Sequence, residues 1–129
     1  MKDMLQETEK LSGAAVQLGK LLSNYNGIDV VVMDMRQLDF WTDFFVIATV
    51  TSNTHLSGLE RHIKDFSRET GLDILRRSKK PEIDDEWCLI DMGDIVIHLM
   101  TVRARSFYEL ERLWSSAPLI YEDYSSKSS

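Results

Sequence analysis

Residues 87–114, WCLIDMGDIVIHLMTVRARSFYELERLW, constrain the fold more than any other part of the chain. Two short apolar runs flank Met92-Gly93-Asp94, and glycine accepts the positive φ that a tight turn between paired strands demands. The spacing therefore predicts a hairpin with strands at 87–91 and 95–100. Behind it, Arg103, Arg105, Phe107, Tyr108, Glu109, Glu111, Arg112 and Trp114 crowd one segment. That is more aromatic and guanidinium surface than a folded core requires.

The remaining periodicities supply the partners of the hairpin. Leu11, Ala15, Leu18 and Leu22 recur at four and three residues, which places them on one face of a helix over about 3–24. Asn26-Gly27 stops it. The runs IDVVVM (28–33) and FFVIATV (44–50) are β-branched and aromatic, as expected of strands inside a sheet. A loop over 34–43 carries Phe40 and Trp41. Ser52 or Asn53 is placed to cap a second helix whose Leu56, Leu59, Ile63 and Phe66 form its buried stripe, and Gly71 is placed to end it. An edge strand at 72–77, an exposed charged loop at 78–86 and a final helix at 106–115 closed by Pro118 complete the order. The expectation is one α/β domain over residues 1–117 with a mixed five-stranded sheet flanked by helices, and a partly disordered tail over 118–129.

Composition bounds the function. With 129 residues, 43% hydrophobic and 28% charged, the chain is ordinary globular material and long enough for a core of its own. The lone Cys88 sits in an apolar run, where a buried thiol is expected, and one cysteine makes no internal disulfide. Acidic residues interrupt the N-terminal segment, so no signal-peptide core is expected there, and no apolar run approaches the ~18 residues of a membrane span. A cytoplasmic location, without membrane association, is expected. A net charge of −6 repels a phosphate backbone unless basic residues are grouped.

Catalytic readings find little support. Asp91, Asp94 and His98 are close in sequence, but Asp94 and His98 on one strand face are separated by about 13 Å at ~3.3 Å per residue. A histidine bonded within the sheet and two turn aspartates is the simpler interpretation. No phosphate-binding glycine loop and no nucleophile elbow occurs. A divergent nucleotidyltransferase using Asp34, Asp43 and Asp91 remains an alternative, as does a small RNA-binding domain using Arg76, Arg77, Lys79 and Lys80. That basic run lacks interleaved aromatics and is followed at once by Glu82, Asp84, Asp85 and Glu86, which favours a solvated loop. In the closing helix, Phe107, Leu110 and Trp114 share a face that serves the core. Tyr108, Glu111, Arg112 and Ser115 share another, and Tyr and Arg are common anchors of protein interfaces. Arg105 and Glu111 pair with a partner or with one another.

The blocks DFFVIATVTSN (43–53), WCLIDMGDIVIHLM (87–100) and RSFYELERLW (105–114) resemble, in order, the ribosome silencing factor family, also called Iojap-related proteins. The likeness covers about residues 5–117. It implies a fold similar to nucleotidyltransferases without their catalytic carboxylates, no enzymatic activity and no cofactor. It implies a translational repressor that binds the large ribosomal subunit through its interface protein fourteen and blocks joining of the small subunit. A homodimer and a nearby ribosomal RNA contact are also compatible with it. Carried onto this chain, the partner-binding residues are Trp87, Asp91, His98, Arg105, Tyr108, Leu110, Glu111 and Trp114, with Tyr108 as anchor and Glu111 or Arg105 setting polar register.

Overall fold

The hairpin expected at 87–100 lies inside a sheet of six strands. In a computed structural model, which describes residues 2–79 and 86–124, the order is α1 (Lys2–Asn24), β1 (Ile28–Asp34), β2 (Phe44–Val50), α2 (Asn53–Thr70), β3 (Arg76–Lys79), β4 (Trp87–Asp91), β5 (Ile95–Thr101), α3 (Val102–Tyr108), α4 (Leu110–Leu113) and β6 (Leu119–Asp123). The strands lie in the order β3-β4-β5-β2-β1-β6. β2 and β5 run parallel, and every other neighbouring pair is antiparallel. α2 lies between the two parallel strands in sequence, as their crossover requires.

Both faces of the central strands are covered, which explains why their sequences are continuous apolar runs rather than alternating ones. On one face Ala15, Leu18 and Leu22 of α1 and Leu56, Leu59, Ile63 and Phe66 of α2 pack on Val30, Val46, Ile90 and Ile97. Cys88 is buried there too. On the other face Ala104 of α3 and Leu110 of α4 pack with Val31, Phe45, Ile47, Val96 and Met100. Ser52 caps α2 by accepting the His55 amide at 3.0 Å. Gly71 ends that helix at φ 78°, the left-handed conformation that glycine takes without steric cost.

Three expectations are corrected. The segment after 117, expected as a tail, supplies the sixth strand: Val32 of β1 lies opposite Tyr121 of β6, and the Tyr121 hydroxyl donates to Ser23 Oγ at 3.0 Å. The ladder is entered through the Asp34 amide, which donates to the Pro118 carbonyl at 2.9 Å. A five-residue strand ending in Glu122 and Asp123 carries too little apolar pattern to stand out, yet it covers an otherwise open edge of β1. The domain therefore runs at least to Asp123, not to 117. The edge strand begins at Arg76 rather than 72; Leu72 and Ile74 are spent on the core instead. The last helix starts at Val102, because Thr101 Oγ1 accepts the Ala104 amide at 3.1 Å, and it breaks at Glu109, where φ is 45°. The expected loop at 80–85 and the terminal SSKSS lie outside the described residues.

Candidate functional site

β4 and β5 place Trp87 and His98 on the face that α3 and α4 cover only in part. The Trp87 Nε1 donates to His98 Nδ1 at 3.1 Å. His98 is 4% exposed, and burial, reinforced by the positive charge of Arg105, pushes its pKa down to about 3. The imidazole is therefore neutral at physiological pH. Because Nδ1 accepts, the ring proton resides on Nε2, for which no hydrogen-bond partner is found among the described residues.

Around this pair, aromatic rings form a continuous series. Phe107 meets Tyr108 at 4.9 Å between centroids, Tyr108 meets Trp87 at 4.6 Å, and Trp87 meets His98 at 5.8 Å. His98 then meets Phe45 at 4.6 Å, and Phe45 touches both Trp114 at 5.2 Å and Phe40 at 5.4 Å. Phe40 leads to Trp41 at 5.6 Å. The centre of the series is buried and its two ends are not. Phe107 is 76% exposed and Trp41 59% exposed, while Leu113 on α4 is 66% exposed. Aromatic pairs of this kind hold one another in place through edge and offset contacts, so the exposed rings stand on a rigid foundation.

The residues expected to bind a partner fall into two groups. Trp87, Tyr108 and Trp114 are half-buried members of the ring series. Leu110 is a core residue at 5% exposed. Arg105 and Glu111 pair with one another, Nε to Oε1 at 3.1 Å and Nη2 to Oε2 at 2.8 Å. Asp91 is buried at the turn, where it accepts the Gly93 amide at 2.8 Å and pairs with Arg76. Of the helical face expected in the core, Leu110 is buried and Trp114 packs against the core, but with the break at Glu109 Phe107 points to solvent. Sequence reasoning missed Phe40, Trp41 and Phe45 as parts of this face. Two adjacent large aromatics in a connecting loop were the available signal.

Several of the groups named for the alternative chemistries are engaged within the domain. Asp34 is engaged by Arg36, whose Nε and Nη2 donate at 2.9 and 2.6 Å, and this bond holds its carboxyl below the usual range. Burial and then the charge of Asp94 raise Asp43. Asp91 is occupied as described, and no group of three potential metal ligands occurs among the described residues. In the basic run, Arg77 is bonded to Glu60 of α2 and Arg76 to Asp91, so both guanidinium groups have carboxylate partners within the domain. No helix among the described residues is long and apolar enough to cross a membrane.

Fold and face together define an α/β domain whose second sheet surface carries an aromatic series running out to solvent. The chain belongs to the ribosomal silencing factor family: the model described as ribosomal silencing factor during starvation matches residues 7–129. It is 36% identical to the ribosomal silencing factor RsfS of Treponema pallidum over 103 residues, covering 80% of this chain and 91% of that relative. Identity to RsfS of Bacillus subtilis is 37% over 98 residues, covering 74% and 80%. A solved structure from Chromobacterium violaceum is similar with a TM-score of 0.68 at 28% identity, covering 83% of this chain and 85% of that one. One from Bacillus halodurans gives 0.67 at 27%, covering 88% and 98%. The family is named for silencing and not for a catalysed reaction.

Proposed function

We propose that this chain represses translation by binding the large ribosomal subunit, through its interface protein fourteen, and occluding the surface on which the small subunit docks. The observation that carries this reading is the ring series, which leaves Phe107 exposed beside half-buried Tyr108 and Trp87. Large aromatics that are well supported yet solvent-facing are the side chains that most often anchor protein interfaces. Membership in a family named for ribosomal silencing supplies the class of partner.

Within the face, Trp87, Tyr108, Phe107 and Trp114 are assigned the contact with the partner. His98, Leu110 and Asp91 act from beneath by fixing the strands and helices that carry those rings. The mechanism is steric and uses no cofactor, so the extent of silencing follows occupancy of the subunit and the rate at which the protein leaves it. Purified protein titrated into separated ribosomal subunits, with their association followed by sedimentation, tests this directly. Reduced joining and co-migration with the large subunit are expected; undiminished joining at saturating protein overturns the reading.

A further inference from the structure

The Arg105 guanidinium reaches three other segments at once. Besides its two bonds to Glu111 of α4, its Nη1 donates to Thr49 Oγ1 of β2 at 3.0 Å and its Nη2 to the Asp29 carbonyl of β1 at 2.6 Å. The Arg105 side chain is only 11% exposed and that of Glu111 29%. Both carboxylate oxygens of Glu111 are thus engaged within the molecule.

α4 needs such an anchor. It has four residues, far fewer than a helix requires to persist unaided. Glu109, which precedes it, takes φ 45° and provides no side-chain cap; a residue with a side chain enters that region at a steric cost. What holds α4 in place is the burial of Leu110 and the paired hydrogen bonds from Arg105 to Glu111.

We infer that Arg105 is a positioning residue for the docking face: through Glu111 it sets the break between α3 and α4, and with it where Tyr108, Leu113 and Trp114 stand. The effect of Glu111 on partner binding then passes through Arg105 rather than through a contact of its own. This assignment rests on the docking proposed above. A lysine cannot substitute, because its ammonium lacks the planar fork that serves two carboxylate oxygens and two further acceptors together.

The test uses the full chain as wild type, Arg105→Lys, Glu111→Gln and the double variant, with two readouts. The first is hydrogen exchange at the amides of Arg112, Leu113 and Trp114, which donate to the carbonyls of Glu109 and Leu110 at 3.0–3.1 Å, compared with the amides of β5. The second is co-sedimentation with isolated large ribosomal subunits. Each single variant is expected to speed α4 exchange by about tenfold or more, leave β5 unchanged and weaken subunit binding by a similar factor. The double variant is expected to be no worse than the more damaging single one, the mark of two groups acting as a unit. Unchanged α4 exchange in Arg105→Lys overturns the inference. So do binding losses that add in the double variant, which would give Glu111 a partner contact of its own. Faster exchange in β5 as well as α4 also overturns it, since Arg105 would then be holding the whole fold. If the wild type itself does not co-sediment, the docking proposal falls and the exchange arm alone decides the role of Arg105.

Discussion

Trp87 donates its indole hydrogen to Nδ1 of His98 at 3.1 Å, and this bond sets both the tautomer of the histidine and the lie of the indole. One partner sits at the edge of the proposed docking face; the other is fully enclosed by the sheet and its aromatic cover. The bond exists only while the imidazole is neutral, because the imidazolium has no lone pair to offer.

A pH dependence of stability follows. The pKa of His98 is near 3 in the folded protein against about 6.5 when unfolded. Between these values the unfolded chain binds more protons, so stability is full above about pH 6.5 and falls as pH drops through the window. At pH 4.5 the loss from this residue is about 3 kcal/mol. Urea unfolding at pH 7 and 4.5 measures it, with His98→Asn as control because its amide oxygen also accepts from Trp87 but does not titrate. If wild type and variant lose stability equally on acidification, His98 is not the buried neutral group described.

Trp87→Phe retains a ring beside Tyr108 but removes the donor, leaving His98 Nδ1 unpartnered inside the sheet. A cost of about 1–2 kcal/mol is expected, the usual penalty for orphaning a buried acceptor. Chemical denaturation gives the number directly. A neutral effect would mean that water reaches His98 and replaces the indole.

Most of the sheet was legible because β-branched runs such as FFVIATV admit few alternatives, and the stripes of α1 and α2 announce their buried faces by spacing alone. The break at Glu109 was not, since no glycine or proline marks it; it follows from tertiary contacts, Leu110 into the core and Arg105 onto Glu111. The candidate face was legible in part for the same reason. Tyr108 was singled out by residue type and Trp87 and Trp114 entered with the family resemblance, whereas the exposure of Phe107 and the choice of Glu111 as the partner of Arg105 depend on a bend that local sequence does not encode. β6 escaped because its pairing with β1 joins residues far apart in the chain, and its own pattern is short.

Phe107 and Leu113 separate docking from stability better than Tyr108 and Glu111, which are half-buried and engaged with Trp87 and Arg105. Phe107→Ser and Leu113→Ser alter side chains that are 76% and 66% exposed. Each should change stability by no more than about 0.5 kcal/mol, the ordinary range for surface positions. Phe107→Ser is expected to reduce large-subunit co-sedimentation at least tenfold if it is an anchor. Full binding by both variants would move the docking face away from α3 and α4.

Two glycines in α1 test whether β6 belongs to the folded core. A Cβ at Gly19 would lie 2.7 Å from Val32 Cγ2 and 2.9 Å from Tyr121 Cδ2, whereas one at Gly13 would meet nothing within 4 Å. Alanine relieves the helix-propensity cost of glycine by about 0.8–1.0 kcal/mol at either site. At Gly13 that gain stands alone, so Gly13→Ala should stabilise the protein. At Gly19 the new methyl must push back β1 and the Tyr121 ring, and overpacking of this kind typically costs 1–3 kcal/mol. Gly19→Ala is therefore expected to be less stable than Gly13→Ala by about that overpacking cost in urea unfolding. Pairing Gly19→Ala with Tyr121→Ala, compared with Tyr121→Ala alone, should shrink the penalty by removing one of the two close contacts. If Gly19→Ala stabilises as much as Gly13→Ala, the ring of Tyr121 does not press on α1, and residues 119–123 do not form the sixth strand in solution.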